Sequence, residues 1–326
     1  MKNSISLRVE RPGHLHGTLL QLRNLFSVCH YELCLQRRSP ASWLCMLICC
    51  LAMGLAFWYV SNRLVPDYYQ GVVEQGTLAL NILLFLPPFL CLSLFHRDRQ
   101  RKVTAQLWTH PFAPSISVVG KWLALSIVAC LISWLMLLVG GLTLCLTLKL
   151  VLPLDPWLLL AALYPVRILL VTAATVLGLC LVPFPLPGGL LVSGLVVYHV
   201  FFSQYSMFDP LNLSAFTLYF SASIGTGPEG ILLLAQSALL GGLALIAVAL
   251  AILCFPLREP AVWANLTDRL IPLIGLGLCI AVVMPSFLSL QQARATYQSL
   301  GQNPVRPIAA HASQFQISVI IDPGTG

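Results

Sequence analysis

The chain has 326 residues, of which 58% are hydrophobic and only 9% are charged, and its mean hydropathy is +0.86. A soluble domain carries about a quarter charged residues, so this composition excludes water as the solvent for most of the protein surface. The formal net charge is +7, but the basic residues are distributed by membrane side and do not form a nucleic-acid-binding patch.

Residues 18–38 predict an amphipathic helix lying in the membrane interface. Polar residues such as Arg23 and His30 lie off its apolar face. Ser39-Pro40 ends the helix, because the residue before a proline avoids the helical region. The apolar residues that recur at helical spacing are Leu19, Leu22, Phe26, Cys29 and Leu33.

Continuous runs rich in Leu, Ala and Val follow, several of them reaching the roughly 20 residues that a helix needs to cross a bilayer. A transmembrane barrel would show alternation over strands of about ten residues instead. The first run begins near Ala41 and lacks a following small-residue cleavage site, so it does not predict a secretory signal. The sequence predicts an all-α polytopic membrane protein with spans at 41–60, 76–95, 119–146, 157–181, 187–203, 230–255 and 270–290.

The orientation follows from the positive-inside rule. With the N-terminus in the cytoplasm and alternating spans, thirteen of the eighteen basic residues lie on the cytoplasmic side. This predicts N-in and C-out. The thirteen are Lys2, Arg8, Arg11, Arg23, Arg37, Arg38, Arg97, Arg99, Arg101, Lys102, Lys121, Arg258 and Arg269.

Three connecting or terminal segments complete the prediction. Residues 181–189 hold three prolines and two glycines, which predict a tight cytoplasmic turn, although a re-entrant break also fits. Residues 211–224 predict a short helix dipping into the outer leaflet, with a surface loop as the alternative. Alternation over 315–321 indicates a strand, which pairs with another chain or begins a further domain.

The sequence lacks the residue patterns that metal binding, intramembrane catalysis and ATP binding require. The eleven cysteines form no CxxC pair or metal-ligand spacing, and the bland interpretation is helix packing. The predicted spans contain no Asp, Glu or HExxH motif, which argues against an intramembrane enzyme or an ion-coupled secondary transporter. A P-loop requires G-x-x-x-x-G-K-[ST], but Gly120-Lys121 is followed by Trp122 and preceded by Ser115 in place of the first glycine.

Two stretches, together with the span pattern, resemble the ABC-2 type permease family over about residues 18–256. The first, from His30 to Pro40, has a Glu-Leu pair, basic residues and a small-Pro break, and is similar to the family's N-terminal interfacial helix. The second, from Phe95 to Leu123, has a charged patch, a short helical segment, a proline and Lys121, and looks like the loop that docks on the ATPase. It departs from the family in having Gln106 where Glu is usual.

The resemblance implies a non-catalytic permease subunit, in a bacterial cytoplasmic membrane, that forms an export path. ATP and Mg would lie on a separate ATP-binding subunit, and six core spans would imply a second permease chain. Without the resemblance, the charges of residues 97–102 only indicate anchoring at lipid headgroups. The residues expected to couple to the ATPase are Glu32, Arg37, Arg38, Arg97, Asp98, Arg99, Arg101, Lys102, Gln106 and Lys121.

Arg167 is predicted to lie inside a span, after Pro165, and an intramembrane charge indicates function by default. It either faces the substrate path and meets an anionic group, or snorkels, or bonds carbonyls freed by Pro165. His199 in the fifth predicted span is a weaker candidate for the path, because a lone histidine is typical of a packed residue.

The predicted organisation is a cytoplasmic N-terminus with its interfacial helix (1–40), an ABC-2 type transmembrane core (41–256), a cytoplasmic loop with a seventh span (257–290), and an extracytoplasmic tail (291–326). Transport is the leading hypothesis. The alternative is a membrane anchor that recruits an ATPase and extracytoplasmic partners without moving a substrate.

Overall fold

A computed structural model of the chain describes residues 14–61, 68–90, 114–148, 154–182, 185–198, 229–254 and 266–302. These residues are almost entirely helical and contain no strand. The predicted strand at 315–321 and the predicted short helix at 211–224 lie outside them. The main helices are α1 (His14–Arg38), α2 (Pro40–Ser61), α3 (Tyr68–Leu83), α4 (Pro114–Leu148), α5 (Asp155–Leu181), α6 (Pro185–Val197), α7 (Glu229–Cys254) and α8 (Leu266–Gln302).

Five of the seven predicted spans are confirmed as helices that are long and apolar enough to cross a membrane. The other two predicted spans, 76–95 and 187–203, correspond to the shorter apolar helices Gln75–Leu90 and Pro187–Val197 within the described residues. The segments long and apolar enough to cross a bilayer are Pro40–Tyr59, Ser115–Thr147, Asp155–Leu181, Leu233–Cys254 and Leu273–Gln292.

The second apolar segment is interrupted near its middle. Regular α-helix ends at Leu83, residues 84 and 85 form a turn, and helix resumes over 86–90. The backbone N–H of Leu84 bonds to the carbonyl oxygen of Asn81 at 3.1 Å, a contact three residues back. Pro87 and Pro88 explain the break, because prolines donate no N–H to the preceding turn but fit in the first turn of a new helix.

Side chains hold the junction between α1 and α2. The indole Nε1 of Trp43 donates to the carbonyl oxygen of Arg37 at 2.7 Å, which satisfies one of the carbonyls left without a partner at a helix C-terminus. The Ser42 hydroxyl donates to Gln36 Oε1 at 2.7 Å, and both side chains are buried. The predicted helix break at Ser39-Pro40 is therefore present, and side-chain hydrogen bonds bridge it.

Helices α4 and α5 form the centre of the bundle. Helix α4 packs against α1, α2, α3, α5 and α7, while α5 also packs against α3, α6 and α7. The Phe57 side chain of α2 packs directly against Gly140 of α4, where an added Cβ would lie 2.7 Å from Phe57 Cδ2. Small residues commonly permit such approach between membrane helices.

The predicted helix break within 181–189 is confirmed. Helix α5 ends at Leu181, Val182 is extended, and α6 begins at Pro185 and packs against α5. Helix α8 packs against α7, and many of its large apolar side chains are exposed, as expected for a face turned to lipid.

Candidate functional site

The first candidate region is the junction of α1 with the beginning of α4. Gly120 lies against α1 so closely that an added Cβ would be 2.7 Å from Val28 Cγ1 and 3.0 Å from Val28 Cβ. Glu32 on α1 and Lys121 on α4 are both buried, with 2% and 5% of their surfaces exposed. The junction therefore lies next to Glu32 and Lys121, one from each of the two stretches on which the family resemblance depends.

The other residues expected to couple to an ATPase fall into two groups. Arg37 and Arg38 end α1 and are exposed, so their charges are accessible. The loop residues Arg97, Asp98, Arg99, Arg101, Lys102 and Gln106 lie outside the described residues.

The burial of Cys29 shows where α1 packs against the rest of the bundle. Its side chain is buried, and burial, followed by the nearby Glu32 carboxylate, raises the pKa of its thiol above the ordinary value. Both effects disfavour the negatively charged thiolate. Cys34, five residues later on the same helix, is exposed.

The apolar side chains of α1 divide between two environments. Cys29 is buried and Leu33 is half-buried, whereas Leu22 and Phe26 are exposed, Phe26 at 70% of its surface. The buried face also includes the polar residues Glu32 and Gln36. An interfacial position would place Leu22 and Phe26 in lipid, as the predicted amphipathic helix requires.

The second candidate region is a polar cluster inside the bundle, between α3 and α5. The Tyr164 hydroxyl lies 2.9 Å from Asn81 Oδ1 and 3.0 Å from the carbonyl oxygen of Thr77. The guanidinium carbon of Arg167 lies 5.4 Å from the centroid of the Tyr164 ring, within the distance of a cation–π interaction. Thr77, Asn81, Tyr164 and Arg167 are called the intramembrane polar cluster below.

The surroundings of Arg167 distinguish among its three predicted roles. Only 2% of its surface is exposed, so the side chain does not snorkel to the outside of the bundle. Pro165 frees the carbonyl oxygen of Ala161 four residues back, but the indole Nε1 of Trp134 donates to that oxygen at 3.3 Å. The described bonds therefore give the freed carbonyl to Trp134, and Nε of Arg167 has no partner among the described residues.

The sequence singled out Arg167 but not its companions. Thr77 and Asn81 are four residues apart, so they occupy one face of α3, and such a polar pair in an apolar helix is a signal that the sequence contained. His199, the other predicted path residue, lies outside the described residues. The described residues include no group of three or more His, Cys, Asp or Glu side chains that could hold a metal ion.

The fold and the spans define a multi-pass helical membrane protein. A scan against models of known protein families finds no match, and a search of curated proteins finds no similar sequence. The resemblance to ABC-2 type permeases therefore remains a prediction based on the two stretches described above.

Proposed function

We propose that this chain is the membrane-spanning permease subunit of an ATP-driven transporter of the ABC-2 type, acting as an exporter with a separate ATP-binding subunit. The observation that carries the proposal is the close contact at Val28 and Gly120. It joins the helix before the first span to the start of α4, which directly follows the charged loop. Movement of that loop by a soluble partner would therefore act on both helices together.

Two further features support a force-transmitting arrangement. Across the break at Ser39-Pro40, the side chains of Ser42 and Trp43 bond to Gln36 and Arg37 and so tie α1 to the first span, α2. Residues 91–113 connect the apolar segment that ends at Leu90 to α4, and they carry the chain's densest group of charges. If this connecting segment is attached to both neighbouring helices, displacement of the segment by an ATPase would displace those helices. The family resemblance implies this coupling function.

A charge-reversal experiment tests the proposal. The transporter, co-purified with its ATPase, is reconstituted in liposomes with Arg97, Arg99 and Arg101 all changed to Glu. We expect the assembled permease chain to remain folded while ATP hydrolysis is no longer coupled to transport. The matched control reverses Arg258 and Arg269, which are also predicted to be cytoplasmic but lie outside the loop.

The outcomes separate the permease from a membrane anchor. Wild-type assembly and transport in the triple variant would contradict the proposed coupling role. Co-purification of an ATPase whose hydrolysis never responds to a transported substrate would instead favour the anchor, because recruitment alone requires no such response.

A further inference from the structure

The intramembrane polar cluster contains more hydrogen-bond donors than the structure satisfies. Nε of Arg167, Nδ2 of Asn81 and Oγ1 of Thr77 are all buried without a hydrogen-bond partner among the described residues. Two of these atoms are obligatory N–H donors, and the third is a hydroxyl that also donates. The residues that carry them are at least nine-tenths buried, with 2%, 3% and 0% of their surfaces exposed.

This deficit is unusual for a bilayer-spanning bundle. Each unsatisfied buried polar group costs free energy, and the cost is larger for a charged group. Arg167 is twelve residues after the start of α5, which at 1.5 Å per residue is about 18 Å along the helix, near the bilayer middle. A positive charge and two polar side chains are thus concentrated where they are most costly.

Arg167 has no carboxylate partner among the described residues, and its contact with the Tyr164 ring does not occupy Nε. The single O–H of Tyr164 lies within hydrogen-bond distance of Asn81 Oδ1 and the Thr77 carbonyl oxygen, so its proton is committed to these two oxygens. The cluster therefore lacks a negatively charged group that could accept hydrogen bonds from these donors. Oxygen atoms of a carboxylate or phosphate match a guanidinium and neighbouring N–H and O–H donors.

We propose that the intramembrane polar cluster binds the anionic group, a carboxylate or phosphate, of a ligand whose remaining part is apolar. The apolar helices around the cluster would accommodate the rest of such an amphiphile. Identification of this ligand as the transported substrate rests on the proposed permease function. The binding itself depends only on the cluster.

Thermal unfolding in nanodiscs of neutral lipid tests the proposal without ATP or a partner subunit. The probes are dodecyl phosphate and dodecanoate, with dodecanol as the uncharged control and inorganic phosphate as the soluble anion. A ligand that binds only the folded protein at a hundred times its Kd should raise the Tm by about 5 °C. We expect the two anionic amphiphiles to do so and dodecanol not to.

Three variants locate the binding. Arg167→Met preserves side-chain volume and should abolish the Tm shift caused by the probes. Without a probe, the Tm of this variant should equal or exceed that of the wild type, because an unpaired buried charge has been removed. Thr77→Val preserves shape, removes one donor and should weaken binding about tenfold. Ser126→Ala is the control, because it breaks a buried bond to Thr172 outside the cluster and should retain the full shift.

The result has clear alternatives. A shift with inorganic phosphate equal to that with dodecyl phosphate would contradict the proposed amphiphile, because it would show that the cluster binds a soluble anion without any apolar part. No shift with any anionic probe, or a full shift in both Arg167→Met and Thr77→Val, would overturn the proposal. Because this assay measures binding alone, loss of the proposed permease function in liposomes would leave the anion site standing.

Discussion

Gly120→Ala tests directly whether α1 is held against the start of α4. The new Cβ would lie 2.7 Å from Val28 Cγ1 and 3.0 Å from Val28 Cβ, with the backbone nitrogen of Cys29 at 3.5 Å. Rotation of the Val28 side chain could move Cγ1 away from the new methyl group. Val28 Cβ and the backbone of α1 cannot move in this way, because their positions are set by the helix. The variant should therefore push α1 away from α4.

The magnitude comes from two opposing effects. Overpacking a close contact costs about 1–3 kcal/mol, and replacing a helical glycine by alanine gains about 0.5–1 kcal/mol. Gly141→Ala on the same helix is the matched control, since no atom lies within 4 Å of its added Cβ. The difference in unfolding free energy between the two variants should therefore equal the overpacking cost, about 1–3 kcal/mol.

Two assays measure the effect. Thermal unfolding should rank Gly120→Ala below Gly141→Ala, and maleimide labelling followed by mass spectrometry should show faster modification of buried Cys29 in the first variant only. Exposed Cys34 is the internal reference for reagent access. If Gly120→Ala is as stable as Gly141→Ala and Cys29 remains slow, α1 does not pack at this position.

A second change separates the clash from a general defect of the α4 helix. Val28→Ala removes Cγ1 but leaves Cβ, so it should relieve part of the overpacking in Gly120→Ala. Residues in contact commonly show interaction free energies of about 0.5–3 kcal/mol in a double-mutant cycle. An interaction free energy near zero would contradict the contact.

Three further predictions concern two buried residues and the membrane topology. Burial and Glu32 raise the pKa of Cys29 above the ordinary 9.0, so its alkylation should increase only at higher pH than that of a free thiol. The stability contributed by the neutral thiol should decline as pH rises past 9. An alkylation-rate profile centred at the ordinary pKa would contradict the burial. Tyr164→Phe removes the hydroxyl shared by Asn81 and Thr77 and should lower the unfolding free energy by about 1–3 kcal/mol, measured by thermal unfolding; an unchanged Tm would show that these bonds contribute nothing. A reporter fused after Gln302 should be active only on the extracytoplasmic side, and cytoplasmic activity would show that the predicted turn within 181–189 is instead re-entrant.

The spans were predictable because bilayer thickness imposes a length and a composition that each helix satisfies alone. The predicted 41–60 and 157–181 lie within about two residues of the observed Pro40–Tyr59 and Asp155–Leu181. The second span was less accurate, since Pro87 and Pro88 divide it into two helical pieces. Those prolines were visible in the sequence, and their missing N–H groups should have indicated the turn.

The partners of the site residues were not predictable in the same way. The sequence indicated that Arg167 follows a proline, but only packing shows that Trp134 on α4 bonds the carbonyl that Pro165 frees. Similarly, the Tyr164 contact with Asn81 joins residues 83 positions apart. Such pairs depend on the rotation of each helix about its axis, which an almost uniformly apolar helix leaves unspecified in its sequence.

Helix α4 connects the two candidate regions, and this connection gives a final prediction. It meets α1 at Gly120, and a few residues later the Trp122 indole donates to the carbonyl oxygen of Leu169 at 3.3 Å. The hydroxyls of Ser126 and Thr172 lie 2.8 Å apart. These bonds join α4 to α5 close to Arg167, so displacement of the start of α4 must either move α5 or break them.

Ser126→Ala should therefore weaken communication without removing the anion site. The expected result is an unchanged Tm shift with dodecyl phosphate, together with a two- to fivefold smaller stimulation of ATP hydrolysis by that probe, which corresponds to a coupling loss of about 0.5–1 kcal/mol. Thr143→Val is the control, because among the described residues its hydroxyl bonds to the Val139 carbonyl within α4 and to no other helix. Equal stimulation in both variants and the wild type would show that the α4–α5 bond does not transmit the signal, since the binding measurement has already separated loss of coupling from loss of the ligand.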